Sequence, residues 1–251
     1  MTTAEASAPE SVNSLAGQTV VVIGGSSGMG LEAARQARSA GAQLVLTGRD
    51  RDRLAAARDE VSAVSTATLD IGDAAGLDLF FTGLPQRIDH VLVTGGGPTY
   101  SPIADLDFDD ALQVLDEHLL GSLRIARACA GRIRPGGSLT LITGTHARRP
   151  GVGLVVAAIA AAAVPTIVAN VAIELAPMRA NAIAAGFVDT PLSARILGDQ
   201  LDHRRAELRA ELPIRRVVEA VDVAAVAIHL MTNTAVTGAT YDVDGGQQLL
   251  S

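Results

Sequence analysis

The chain of 251 residues contains no lysine and no tryptophan, only two tyrosines, four phenylalanines and a single cysteine. Its 20 basic residues are therefore all arginine, set against 27 acidic ones for a net charge of -7. That balance, with no basic stripe interleaved with aromatics, argues against nucleic acid as a partner, because phosphate binding needs a positive face. The lone Cys129 cannot form an internal disulfide, and the N-terminus lacks the basic and apolar regions of a signal peptide. A reducing cytoplasm is the expected location. No charged residue falls between Arg149 and Glu174, and the run from Val152 to Ile173 is long enough to resemble a membrane span. Gly151, Gly153, Pro165 and Asn170 interrupt it, and a helix buried in an α/β protein is also apolar all round. It is expected as a core or interface helix, with no membrane partner.

At 48% hydrophobic residues the chain is long enough to bury one large core. Residues 1–14 are small and polar without periodicity, which predicts a disordered tail. From residue 15 onward one domain is expected. Short β-branched runs alternate with amphipathic stretches: Thr19 to Ile23 then 28–40, Gln43 to Thr47 then 50–60, Ala67 to Leu69 then 73–82. The alternation continues with His90 to Thr94 before a helical stretch at 105–131, and Ser138 to Thr143 before the apolar stretch. Asn181 to Ala185, a helix over 219–231 and a last strand at Thr240 to Val243 complete it. Strands alternating with helices of this length predict parallel pairing in a doubly wound α/β sheet of the Rossmann type. The polar segment 190–213 carries Arg195, Arg204, Arg205 and Arg209 among acids at helical spacing. It reads as a solvated helix with ion pairs, or as a lid over a substrate just beyond a strand's C-terminal end.

The chemistry-bearing motif follows the first strand. Val20-Val21-Val22-Ile23 runs into Gly24-Gly25-Ser26-Ser27-Gly28-Met29-Gly30 and then a helix. Glycines there let the backbone turn sharply and approach a pyrophosphate, which sits against free amides at the positive end of the helix. The second strand ends in Thr47-Gly48-Arg49. An NAD-selective fold usually places a carboxylate near this point, whereas an arginine pairs with a 2′-phosphate. Arg49 therefore favours NADP(H) over NAD(H).

These residues carry a resemblance to the short-chain dehydrogenase/reductase family. The spacing Gly-x-x-x-Gly-x-Gly is similar to that family's cradle, with Ile23 where a threonine is usual. Asp70-Ile71 resembles its strand-end aspartate beside the adenine, and Thr94-Gly95-Gly96-Gly97 stands in place of Asn-Asn-Ala-Gly. Further on, Ala172 to Pro177, Arg179-Ala180-Asn181, Gly186-Phe187-Val188-Asp189-Thr190 and Asp242-Val243-Asp244-Gly245-Gly246 match its later signatures. The resemblance covers nearly the whole chain. It implies a cofactor site built from Gly24, Ser26, Ser27, Gly28, Met29, Gly30, Arg49, Asp70, Ile71, Gly95, Gly96 and Thr190, and self-association through the apolar helix into a dimer or tetramer.

The same resemblance exposes a gap. It places the family's catalytic Ser, Tyr and Lys at Gly144, Ala157 and Ala161, and its asparagine at His118. The family's tyrosine delivers a proton as hydride arrives; losing general acid catalysis of about 10²- to 10⁴-fold adds roughly 3 to 5 kcal/mol to the barrier. His146, two residues past the Ser position, and His118 are the candidate replacement acids, imidazole being the side chain most often used for proton transfer near neutral pH. Thr143 and Thr145 flank Gly144, and Tyr100 stands in a loop that follows the glycine turn. A metal site is not expected, since no Cys or carboxylate is spaced as a partner. Three functions remain open: an NADP(H)-dependent oxidoreductase acting on a small carbonyl- or imine-like substrate by a non-standard mechanism, a pseudoenzyme that binds nucleotide without turnover, and non-redox catalysis in the vacated pocket. Pro165 either kinks a continuous helix or begins a shorter one.

Overall fold

A computed structural model describes residues 14–250. The tail expected at 1–14 lies outside the described residues except for Ser14. The order is β1 (Thr19–Ile23), α1 (Gly28–Ser39), β2 (Gln43–Gly48), α2 (Arg51–Val61), β3 (Ser65–Thr68), α3 (Ala74–Gly83), β4 (Ile88–Val93), α4 (Phe108–Leu115) and α5 (Gly121–Cys129). It continues with β5 (Ile133–Gly144), α6 (Val155–Glu174), β6 (Arg179–Ala185), β7 (Val188–Asp189), α7 (Pro191–Leu197), α8 (Leu201–Glu211), β8 (Val218–Glu219), α9 (Ala220–Thr232) and β9 (Thr240–Val243). Seven strands form one sheet in the order β3-β2-β1-β4-β5-β6-β9, every pair parallel. β7 and β8 form a separate small parallel pair.

The central strands are apolar runs because both faces of a parallel sheet are covered. Successive side chains point to opposite faces. Val20, Val22, Leu44, Leu46 and Leu92 pack with α1, α2 and α9, while Val21, Ile23, Val45, Val91 and Val93 pack with α3, α5 and α6. Strand order reverses between β1 and β4, which opens a crevice at the C-terminal ends of the strands.

Three expectations change. The helical stretch expected at 105–131 runs from 108 to 129 and is not α-helical throughout: the Asp107 carboxylate captures the Asp109 and Asp110 amides and starts α4 at 108. A π turn over Asp116–Leu120 then separates α4 from α5. A Cβ on Gly121 would stand 2.5 Å from Ile71 Cγ2, so the chain presses against the end of β3 just as the helix widens. Pro165 lies inside a continuous α6 rather than starting a shorter helix. Its cost, about 3 kcal/mol in isolation, is offset by burial of the neighbouring Val164, Val168 and Val171 against the sheet. The third strand spans Ser65–Thr68, two residues ahead of the expected start. α6 is long and apolar enough to cross a membrane, with a mean hydropathy of 2.2; here it packs against β5 and β6 in the outer layer.

The Arg-x-Asn motif of β6 is explained by polar satisfaction. Buried Arg179 donates to the carbonyls of Gly136, Leu230, Val236 and Met231. Asn181 donates to Val236 O and accepts from Ala239 N, so the two side chains pin the α9–β9 connection to the sheet. Nearby, buried His90 contacts Ser138 Oγ through Nδ1 at 2.8 Å and Gln18 Oε1 through Nε2 at 2.7 Å. The glutamine oxygen can only accept, so the proton sits on Nε2. Burial pushes the His90 pKa down to about 3, and burial pushes the Cys129 thiol up to about 12.

Two outcomes are expected. Arg179→Ala strands buried carbonyls at about 1–3 kcal/mol each, so its urea midpoint should correspond to a loss of at least about 3 kcal/mol; a loss under 1 kcal/mol would contradict the bonding described. The unfolded chain protonates His90 below its ordinary pKa of 6.5 while the folded chain resists until about 3. Stability should therefore fall as pH drops through that window, by up to about 1.4 kcal/mol per pH unit from this one group. His90→Asn should flatten that slope in urea titrations run at several pH values.

Candidate cofactor cleft and acid site

All twelve residues expected at the cofactor site line one cleft of about 530 Å³ at the strands' C-terminal ends. The turn after β1 is held by its own backbone, Gly24 N and Gly25 N donating to Thr47 O at 3.1 and 2.8 Å. Gly24 has φ +90, a conformation that favours glycine. A Cβ on Gly30 would collide with the Gly24 carbonyl and stand 2.5 Å from Thr94 Oγ1. Thr94, where the resemblance calls for asparagine, holds the turn from β4: its hydroxyl lies 3.2 Å from Ile23 O and 3.0 Å from Gly24 O, either of which accepts.

These glycines leave a cradle suited to a dinucleotide. Ser27 caps α1 with its backbone only, making no side-chain bond to the first-turn amides. Those amides and the positive end of the helix are thus available to a pyrophosphate. At the other end of the cleft stand Arg49, its side chain 62% exposed and 4.0 Å from Asp70, and Arg53. Asp50 lies between them, but its carboxylate accepts the Asp52 and Arg53 amides as the α2 cap. The Arg53 amide bond is the first cause that holds the Asp50 carboxyl below its usual range. The one carboxylate beside Arg49 in sequence is thereby committed to the helix, where it also pairs with Arg53 Nε at 3.0 Å; both arginine side chains are more than half exposed and keep further N–H donors for a phosphate.

Arg53, Thr94, Glu117 and Arg195 also line the cleft; from sequence Thr94 stands out only as a departure from the family pattern and Arg195 only as part of the 190–213 segment, and Arg53 and Glu117 are not site candidates. Arg53 stands in the first turn of α2, whose cap Asp50 directly follows Arg49. Arg195 required the direction of α7, set by a Thr190–Ser193 capping box with Pro191 in the first turn. Several of the other arginines are engaged within the protein. Arg148 pairs with Asp242 at 2.7 and 2.5 Å, Arg149 donates to Gln247 O, and Arg205 pairs with Asp189 at 2.8 and 2.9 Å. Within 190–213 the ion pairs run mainly at i,i+3, as in Arg204–Glu207 and Arg205–Asp202.

At the end of β5 the vacated Ser position is filled from elsewhere. A Cβ on Gly144 would stand 2.5 Å from His146 Nδ1 and 3.0 Å from its Cε1, so the imidazole occupies the space of a residue-144 side chain. His146 Nε2 lies 3.1 Å from the Tyr100 hydroxyl. Burial lowers the His146 pKa and raises that of Tyr100, which keeps both neutral near pH 7. Ala157 and Ala161, at the Tyr and Lys positions, are buried on α6, and the turns carrying His146 and His118 both pack against that helix. His118 faces the glycine loop instead, with Nε2 3.0 Å from the Cβ position of Gly96. Among the described residues no hydrogen bond joins His118 to His146 or Tyr100.

With this geometry in place, the comparisons with known proteins are informative. A family model described as "Enoyl-(Acyl carrier protein) reductase" matches residues 23–248. The "Short-chain dehydrogenase/reductase ucsE" of Acremonium sp is 30% identical over 95% of this chain and 98% of its own length. The solved structure of the "MalC Reductase/Diels-Alderase from Malbranchea aurantiaca" superposes with a TM-score of 0.89 at 25% identity, over 96% of this chain and 100% of that one. A small-chain dehydrogenase solved in complex with NADPH gives a TM-score of 0.80 at 29% identity, covering 92% of this chain and 99% of that one.

Restoring a side chain at 144 should not restore a standard site. Gly144→Ser is expected to displace the His146 ring and cost about 1–3 kcal/mol of stability through overpacking, read by thermal denaturation. Unchanged stability, with the Tyr100–His146 contact intact in a structure of the variant, would contradict the mutual exclusion.

Proposed function

Because the chain belongs to the short-chain dehydrogenase/reductase family, and so to an oxidoreductase family that binds nicotinamide cofactors, we propose that it is an NADP(H)-dependent oxidoreductase. Its substrate on this reading is a small carbonyl- or imine-like compound, reduced without a Tyr-x-x-x-Lys pair. When bound, the cofactor supplies a hydride. The observation that carries the proposal is the preserved cleft: free first-turn amides on α1, glycines where a Cβ would collide, and Arg49 with Arg53 at the far end.

The residues divide the work. Gly24, Gly28 and Gly30 let the backbone come close to the pyrophosphate, and the amides at the start of α1 bind it. Arg49 and Arg53 hold a 2′-phosphate by charge-assisted hydrogen bonds. Gly95 closes against Ile71 and Gly96 against His118. Positioning alone contributes on the order of 7 to 11 kcal/mol to such reactions, more than the roughly 3 to 5 kcal/mol that the family's general acid supplies. An acceptor that needs no proton, such as an iminium, tolerates the replaced residues best. Exposed Ile159 and Ile173 on α6, the helix expected to carry self-association, and exposed Phe108, Leu112 and Leu123 on α4 and α5 suit such a contact, and a homo-oligomer in a reducing cytoplasm is part of the proposal.

A second reading draws on the similarity to MalC, described as both a reductase and a Diels-Alderase. Turnover without net cofactor consumption fits an acceptor pocket in which the Tyr and Lys positions are alanines.

Calorimetric titration tests the main reading. NADPH is expected to bind at micromolar concentration and more tightly than NADH, and Arg49→Ala and Arg53→Ala should each weaken NADPH at least about tenfold, or about 1.4 kcal/mol, while leaving NADH unchanged. Equal affinity for both cofactors, insensitive to either substitution, would contradict the assigned preference. NADPH binding with no oxidation across ketones, imines, quinones and enones would point to a pseudoenzyme.

A further inference from the structure

We propose that Tyr100 and His146 form a two-residue proton relay at the end of β5, in which the His146 Nδ1 proton passes to the acceptor atom and Tyr100 fixes and refills the imidazole. The inference rests on the reductase reading and specifies the acid that the reading lacks.

Placement is the first support. The family resemblance puts a hydroxyl donor at position 144, and His146 Nδ1 stands 2.5 Å from where a residue-144 Cβ would be. The ring thus presents a nitrogen in the volume that the missing side chain would fill. Gly144 is more than a loss on this view, because only glycine admits the imidazole.

Orientation is the second. A neutral imidazole has one donor and one acceptor nitrogen. In the proposed pairing the Tyr100 hydroxyl, 3.1 Å from Nε2, is the donor to that nitrogen's lone pair, which leaves the proton on Nδ1. No hydrogen bond engages Nδ1 among the described residues. Burial favours the neutral form of both groups, so the phenol–imidazole pair is the resting arrangement.

Anchoring and access are the third. Ser101 N donates to Gly153 O at 3.0 Å, which clips the Tyr100 loop to the segment leading into α6. Tyr100 itself is 43% exposed, open to water for reprotonation. The competing groups are turned elsewhere: His118 faces Gly96, and Tyr241 packs against the core on the α1–α9 side of the sheet.

The step balances for a carbonyl acceptor. The acceptor carbon gains the hydride that NADPH supplies, the C=O π pair moves to oxygen, and that oxygen takes the Nδ1 proton. Nε2 takes the phenolic proton in turn and water reprotonates Tyr100; after product release the ring gives up the Nε2 proton and takes one on Nδ1 by exchange with solvent, which restores the starting tautomer. The products are an alcohol and NADP⁺, with solvent as the proton source. His146 is the catalytic residue and Tyr100 a positioning residue that acts through it.

Two matched probes separate proton delivery from hydride positioning. α-Tetralone needs both a hydride and a proton; the N-methyl-3,4-dihydroisoquinolinium cation, similar in size, needs the hydride alone. With NADPH, His146→Ala is expected to lower α-tetralone turnover by about 10²- to 10⁴-fold and Tyr100→Phe by at least about tenfold, while both keep iminium reduction within about threefold. Retained NADPH affinity serves as the folding control. A parallel fall for both probes, or no fall for the ketone, overturns the relay. Wild-type protein that reduces the iminium but not the ketone also overturns it and leaves the reductase reading standing; protein that reduces neither overturns that reading, and the relay with it. As an independent readout, ¹⁵N NMR of histidine-labelled protein should show His146 protonated at Nδ1, with Tyr100→Phe shifting population to Nε2. An unchanged tautomer in that variant overturns the pairing.

Discussion

The first turn of α1 touches the backbone of the loop that leads into it, and the cleft is organised around that contact. At Gly30 any side chain would meet the Gly24 carbonyl and stand 2.5 Å from Thr94 Oγ1. The missing Cβ lets α1 start directly over the ends of β1 and β4, where the strand order reverses. Free amides then face the crevice, and Thr94 ties β4 to the same turn. The opposite wall depends on similarly close approaches. Cβ atoms on Gly95 and Gly121 would each stand 2.5 Å from Ile71, which draws the β4 loop and the π turn against the end of β3. Close packing of this kind leaves no room for even one added methyl group.

A different exclusion governs the far end of β5. A side chain at 144 and the His146 ring compete for one space, and in this chain the ring occupies it. On the proposed reading the glycine turn and arginines of the cofactor cleft are kept, with Ile23 and Thr94 as departures from the family pattern, while the acid is relocated onto two loops. That division is consistent energetically. Binding and orientation of a dinucleotide draw on amides, glycines and arginines that are all present. The acid contributes a smaller share of the barrier, about 10²- to 10⁴-fold, and can be relocated onto another donor that reaches the same atom.

Much of this was legible in the sequence because it depends on local rules. The apolar strand runs, the glycine turn between β1 and α1, and Arg49 at the end of β2 each announce themselves within a few residues. The assignment of the family's Ser, Tyr and Lys positions to Gly144, Ala157 and Ala161 rests on spacing along β5 and α6. What escaped depends on contacts distant in the chain. The break between α4 and α5 reflects Gly121 against Ile71, fifty residues apart. The commitment of Arg148 to Asp242 and of Arg205 to Asp189 cannot be read from an arginine-rich segment alone. Pro165 inside α6 follows from burial on the sheet that propensity does not include. Tyr100 and His146 meet across loops whose paths are fixed by the Ser101–Gly153 backbone bond.

The most direct test of the central claim, a preserved cofactor cleft joined to a relocated acid, is a crystal structure with NADPH bound. The expected result places the 2′-phosphate within hydrogen-bond distance of Arg49 and Arg53, the pyrophosphate on the first-turn amides of α1, and the nicotinamide ring beside Gly144 with His146 still bonded to Tyr100. A nicotinamide directed away from Gly144, or a cofactor held elsewhere than this cleft, would contradict it.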